Sequence, residues 1–130
     1  MTDSLRVVVV DDDTVQLRLV ASMLRHDGFE VATTEVPFGA SNLVRQFNPD
    51  IVLLDMQLPA LSGDRLLEVI REVADSSTQL ILYSAADKDT LRTRAQRAGA
   101  DGWIQKDFAD GALAGRLRSL WLKARRLQRT

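Results

Sequence analysis

Three consecutive aspartates, Asp11, Asp12 and Asp13, follow directly on a run of four valines, Val7 to Val10. Carboxylates packed that closely repel one another unless a cation neutralises them. Mg2+ suits such a cluster, because a hard divalent ion takes oxygen ligands, uses one or two carboxylates and keeps positions open for phosphate. The chemistry this implies is metal-assisted and directed at a phosphoryl group. By itself the triplet also reads as a solvated loop, or as a cap for a helix that starts at Thr14.

What positions the aspartates is the valine run, since β-branched residues in an unbroken block form a strand buried on both faces and leave the triplet at its C-terminal edge. That run lies in an apolar block from Leu5 to Val10; others stand at Ile51 to Leu54 and Leu80 to Tyr83, with weaker ones at Glu30 to Thr34 and Gly102 to Gln105. Five strands account for them. Between the strands the apolar residues change to helical spacing. Leu17, Val20, Ala21 and Leu24 share one face, with Gly28 placed to stop that helix. Pro37 suits the first turn of a helix presenting Ala40, Leu43, Val44 and Phe47, closed by Asn48-Pro49. Leu66, Val69, Ile70 and Val73 make a third face, and Leu91, Ala95 and Ala98 a fourth that ends at Gly99. Leu113, Leu117, Leu120, Trp121 and Ala124 make a fifth.

Strands and helices that alternate in this way imply an α/β fold, a doubly wound parallel sheet with helices on both faces and right-handed crossovers. Such sheets bind ligands at the C-terminal edges of their strands. The ends of strands one, three, four and five are therefore expected to converge, which brings together Asp11 to Asp13, Asp55, Ser84 and Lys106.

With 130 residues, 45% of them hydrophobic, the chain suits one domain with a real core. It has no cysteine, which excludes disulfides and thiolate metal sites. No apolar run approaches the roughly 20 residues that cross a bilayer, and the start carries no apolar signal segment, so a soluble, cytoplasmic protein is expected. Six of the 17 basic residues and none of the 18 acidic ones lie from Arg116 onward, so an acidic body carries a basic end.

The chain resembles the receiver domain of two-component response regulators, a CheY-like family, over almost its whole length. Val9-Val10-Asp11-Asp12 matches the family's first strand end, and Pro49 to Gly63 (PDIVLLDMQLPALSG) its phosphoacceptor segment. Ser84-Ala85 follows the fourth strand, and Ala98 to Lys106 (AGADGWIQK) leads into the position of the family lysine. The four pieces occur in order and at suitable spacing. The resemblance implies a flavodoxin-like sheet in strand order 2-1-3-4-5 with five helices.

The resemblance also implies roles. Asp55 would take a phosphoryl group from a phosphohistidine of a histidine kinase or phosphotransfer protein, giving an acyl phosphate. Asp12 would bind Mg2+ directly and Asp11 through water, with Asp55 and the backbone carbonyl of Gln57 completing the protein ligands. Lys106 would pair first with Asp55 and then with the phosphoryl group. Ser84 would hydrogen-bond another phosphoryl oxygen and draw the following loop with it. Trp103 stands where many receivers have a tyrosine or phenylalanine that swings inward. The signal would leave through helix four, strand five and helix five, a surface that also serves homodimers, toward an output domain or a downstream protein.

Two positions depart from the family. An indole at Trp103 offers only an N–H donor, so a tyrosine-like hydroxyl contact is lost. Lys106 is followed by Asp107, where the family has a proline after a cis bond. A cis bond before a non-proline residue costs about 2.5–4 kcal/mol; we expect it to stay cis here, held by the charge contacts of Lys106. Asp13 is assigned to the helix start, and the lone His26 to solvent near the end of the first helix.

Residues 1–122 are expected to form the receiver, with residues 123–130 extending the last helix as a basic linker or dimer segment. No recognition motif for nucleic acid accompanies the basic residues, and no membrane partner is expected. The chain would be a self-phosphorylating and self-dephosphorylating switch, not a turnover enzyme. Two alternatives stay open. Asp11-Asp12-Asp13-Thr14-Val15 also fits the Asp-x-Asp-x-Thr motif of haloacid-dehalogenase-type phosphatases, with Asp11 as the nucleophile; the other is a receiver-like adaptor that is never phosphorylated.

Overall fold

Val7, Val8, Val9 and Val10 are all completely buried, and burying an aliphatic side chain of this size stabilises by roughly 1.5–3 kcal/mol. They belong to strand β1 (Arg6–Val10), the second strand of a five-stranded parallel sheet. The computed structural model describes residues 4–57, 63–106 and 112–128. After β1 come α1 (Thr14–His26), β2 (Glu30–Thr34), a 3-10 turn (Pro37–Gly39), α2 (Ala40–Phe47) and β3 (Ile51–Asp55). The chain continues through α3 (Gly63–Val73), β4 (Gln79–Ser84), α4 (Lys88–Ala98), β5 (Gly102–Gln105) and α5 (Ala112–Gln128). The sheet order is β2-β1-β3-β4-β5, as expected.

Alternation along the strands divides the core into two layers. Val8, Val10, Val52, Leu54, Leu80 and Leu82 face α2, α3 and α4, where Val44, Leu66, Ile70 and Leu91 cover them. Val7, Val9, Ile51, Leu53, Ile81 and Tyr83 face α1 and α5, where Leu17, Val20, Leu24 and Leu117 do the same. Leu53 has no exposed surface, and replacing it by alanine is expected to cost ~2–5 kcal/mol. The strands pair in a register that ends them nearly level: Val10 lies opposite Leu54, Asp55 opposite Tyr83, and Ser84 opposite Gln105. That common edge carries the site.

The helices end where local chemistry ends them. Asp13 caps α1, its Oδ1 accepting the N–H groups of Val15 and Gln16 at 3.1 Å each. Asn48 closes α2 and Gly99 closes α4 in the left-handed region, at φ 50° and 73°. Arg118 on α5 donates to the carbonyl of Asp27 at the end of α1, and its guanidinium lies 4.5 Å from the Phe29 ring, so part of the basic end of the chain holds two helices together.

Two sequence expectations need correction. Val69 does not face the core: it is 44% exposed, and Leu67 is buried in its place. At about 100° per residue, Leu66, Leu67, Ile70 and Val73 span an arc centred on Ile70, and Val69 falls outside it. The helix turns this arc inward because α3 packs between α2 and α4 as well as on the sheet. Pro37 does not open α2 itself; it starts the 3-10 turn that leads into Ala40.

Candidate functional site

Asp11 continues β1 by one residue, its N–H donating to the Thr34 carbonyl at 3.2 Å. Its carboxylate is completely buried. Oδ1 accepts the Asp13 N–H at 3.0 Å, while Oδ2 accepts the Tyr83 hydroxyl and stands 3.3 Å from Lys106 Nζ. Asp55, the last residue of β3, is 4% exposed; its Oδ1 accepts the Gln57 N–H at 2.9 Å, and its Oδ2 also stands 3.3 Å from Lys106 Nζ. Asp12 is exposed beside them. One carboxylate oxygen from each of Asp11, Asp12 and Asp55 lies within 4.8 Å of the others.

Lys106 follows β5 and is tied to the sheet edge by its N–H, 2.7 Å from the Ser84 carbonyl. Its ammonium lies 4.6 Å from the centre of the Tyr83 ring. Ser84 is buried at the end of β4, and its Oγ accepts the Ala86 N–H at 3.0 Å, leaving its own O–H to donate. Gln105 adds a second hold on the same loop, its Nε2 donating to the Ala86 carbonyl at 3.0 Å. Trp103 is the second residue of β5. It lies opposite Leu82, half-buried against the α2–α4 layer, with the Arg92 guanidinium 5.9 Å from its ring.

Burial is the largest influence on Asp55 and raises its pKa to about 6; the Gln57 N–H and Lys106 pull the other way, and neighbouring Asp11 adds to the rise. Burial is also the largest single influence on Asp11, but donation from Tyr83 and Asp13, with help from Asp55 and Lys106, outweighs it and lowers the pKa. The Tyr83 hydroxyl is pushed strongly upward, by burial first and by Asp11 second, so it remains a donor. The two buried aspartates are thus driven apart, Asp11 ionised and Asp55 the readier to hold a proton.

Among the described residues the three carboxylates share one close ammonium, which leaves excess negative charge, and of the three Asp12 is the exposed one. A hard divalent cation fits this donor set. Asp11 has three of its acceptor positions used by protein donors, which leaves Asp12 and Asp55 better placed to bind a metal directly.

A family model described as the response regulator receiver domain matches residues 7–118. The chain belongs to this family. It is 33% identical over 114 residues to the DNA-binding response regulator MtrA of Mycobacterium tuberculosis (strain ATCC 25618 / H37Rv), covering 88% of this chain and 49% of that protein. It is 28% identical over 116 residues to the cell cycle transcriptional regulator CtrA of Caulobacter vibrioides (strain NA1000 / CB15N), covering 89% and 50%. The receiver thus spans about half the length of the curated relatives it matches. The CheY-like receiver domain protein from Methanospirillum hungatei JF-1 has the same fold, with a TM-score of 0.82 at 22% identity, covering 95% of this chain and 98% of that one.

The receiver is therefore a module of two-component signal transduction, and neither alternative is favoured. Asp11, the nucleophile of the phosphatase reading, has no exposed surface, and its two oxygens accept from the Asp13 N–H and the Tyr83 hydroxyl. Sequence order brought Asp11, Asp12, Asp55, Ser84 and Lys106 to one edge, as expected. Asp13 caps α1, and His26 is exposed at the end of α1. Leu58 to Ser62, in the stretch that resembles the family's phosphoacceptor segment, and the Lys106–Asp107 peptide bond lie outside the described residues. Tyr83 and Gln105 were not anticipated. Tyr83 had a readable signal, a phenol in a buried aliphatic strand at the same parity as Ile81 and so on the face that Val9 shares with Asp11. Among the described residues no helix is long and apolar enough to cross a membrane.

Proposed function

We propose that the receiver accepts a phosphoryl group on Asp55. A carboxylate oxygen of Asp55 attacks phosphorus, the P–N bond of a phosphohistidine breaks, and the leaving imidazole keeps the electron pair. The donor is a sensor histidine kinase or a phosphotransfer protein. The observation carrying this reading is the placement of Asp55 at the end of the central strand, bonded by Lys106 on the same edge as Asp11, Asp12 and Ser84.

Asp12, Asp55 and the Gln57 carbonyl would hold Mg2+ directly and Asp11 through water. Held by these residues, the ion would supply positive charge to offset the phosphoryl oxygens beside the Asp55 carboxylate. Lys106 then follows the phosphoryl oxygens from Asp55, and the Ser84 hydroxyl donates to another. As Ser84 moves it releases the Ala86 N–H, so the loop before α4 shifts and Trp103 repacks. The output leaves through α4, β5 and α5, by pairing with a second copy or by engaging an output domain, in keeping with the DNA-binding role in the name of the MtrA relatives. The receiver works in the cytoplasm as a switch whose acyl phosphate is also hydrolysed at this site, without turnover of a separate substrate.

Incubation with Mg2+ and a small phosphodonor, followed by borohydride trapping and peptide mass spectrometry, is expected to place one adduct on Asp55. An adduct on Asp11 would restore the phosphatase reading, and no adduct would favour the adaptor.

A further inference from the structure

Packing alone asks only for an apolar side chain at position 83, where β4 meets the α1–α5 layer. The buried Tyr83 brings a hydroxyl, and a buried hydroxyl needs a partner. Its partner is Oδ2 of Asp11, 72 residues distant in sequence. The same oxygen is approached by Lys106 Nζ at 3.3 Å, and Nζ is equally distant from Oδ2 of Asp55. Two buried carboxylates thus compete for one ammonium, Asp11 with no exposed surface and Asp55 with 4%.

The Tyr83 hydroxyl meets part of the demand of Asp11 with a neutral donor. The ring adds a second effect, because its face lies 4.6 Å from the ammonium and attracts it without fixing it on either carboxylate. We propose that Tyr83 is a positioning residue of the phosphorylation site: by donating to Oδ2 of Asp11 it keeps Lys106 shared with Asp55 and free to follow the phosphoryl group. The proposal rests on the reading of Asp55 as phosphoacceptor. Without the hydroxyl, Asp11 captures Lys106 and the phosphoryl group loses its cation.

The Tyr83→Phe variant tests this, since it keeps the ring, the packing and the contact with the ammonium. At saturating Mg2+, its apparent affinity for beryllofluoride is expected to fall about fivefold to tenfold, the loss of one charge-assisted contact. Mg2+ affinity without beryllofluoride, measured by calorimetry, is expected to stay within about twofold, because the carboxylates are retained. A crystal structure of the variant should show Nζ drawn onto Asp11 and away from Asp55. Unchanged beryllofluoride affinity overturns the proposal, and so does a parallel loss of Mg2+ affinity, which would make Tyr83 a purely structural residue. A variant structure with Lys106 still midway overturns it independently of any phosphorylation assay. Wild-type protein that takes no beryllofluoride on Asp55 overturns the parent reading instead, and the proposal with it.

Discussion

Lys106 Nζ stands 3.3 Å from Oδ2 of Asp55 and at the same distance from Oδ2 of Asp11, with a side chain only 10% exposed. A single ammonium therefore offsets part of the charge that a metal would otherwise offset. Replacing it separates two effects that the wild-type site combines. Lys106→Met is expected to bind Mg2+ about threefold to tenfold more tightly, because a competing positive charge is gone. The same variant should capture beryllofluoride at least about tenfold less well, since a donor to the phosphoryl position is gone. Calorimetric titration of both ligands checks the opposed directions.

Metal-free stability should depend on Asp55 with a definite sign. Its folded pKa of about 6 lies above its unfolded value, so the folded state binds the extra proton and loses stability as pH rises from about 4 to above 6. Asp11 adds no slope in that window: its folded pKa is depressed, and its contribution is lost only at lower pH, as its carboxylate protonates. Asp55→Asn should consequently exceed the wild type by on the order of 1–3 kcal/mol at pH 7.5 and by little near pH 4.5. Urea denaturation in chelator at the two pH values measures this, and a constant difference would contradict it.

Asp12 and Asp13 are neighbours with different work. Asp12→Ala should fold as well as the wild type without metal, yet lose the stabilisation that Mg2+ gives, which is ~2.7 kcal/mol at a hundredfold excess over the dissociation constant. Asp13→Ala should lose about 1 kcal/mol from the α1 cap and keep its response to Mg2+. Melting curves with and without Mg2+ distinguish the two residues.

Trp103 provides its own optical probe. The chain has two tryptophans, so Trp121→Phe leaves Trp103 as the sole indole emitter. Its ring is half-buried with Arg92 over it, and inward movement on beryllofluoride binding should reduce acrylamide quenching. Quenching that stays the same would mean that Trp103 packs without switching.

Much of this molecule is legible in its sequence. The valine run, the alternation of strands and helices and the rule that parallel crossovers are right-handed imply which strand ends meet; Asp11, Asp12 and Asp55 do cluster, with Lys106 between Asp11 and Asp55 and Ser84 at the neighbouring strand end. Helix faces were less certain, as Val69 shows: helical spacing limits the buried arc, but the neighbours on either side of α3 choose which part of it turns inward.

The sequence by itself determined the order of the elements and the acidic edge, because β-branched runs, helical periodicity and turn residues act over a few neighbouring positions. Only the tertiary structure decided how the charges at that edge are divided. Strand pairing and side-chain parity bring the Tyr83 hydroxyl and the Lys106 ammonium to one oxygen of Asp11 from 72 and 95 residues away. Burial then makes each of those contacts strong, by removing the water that would otherwise compete for it.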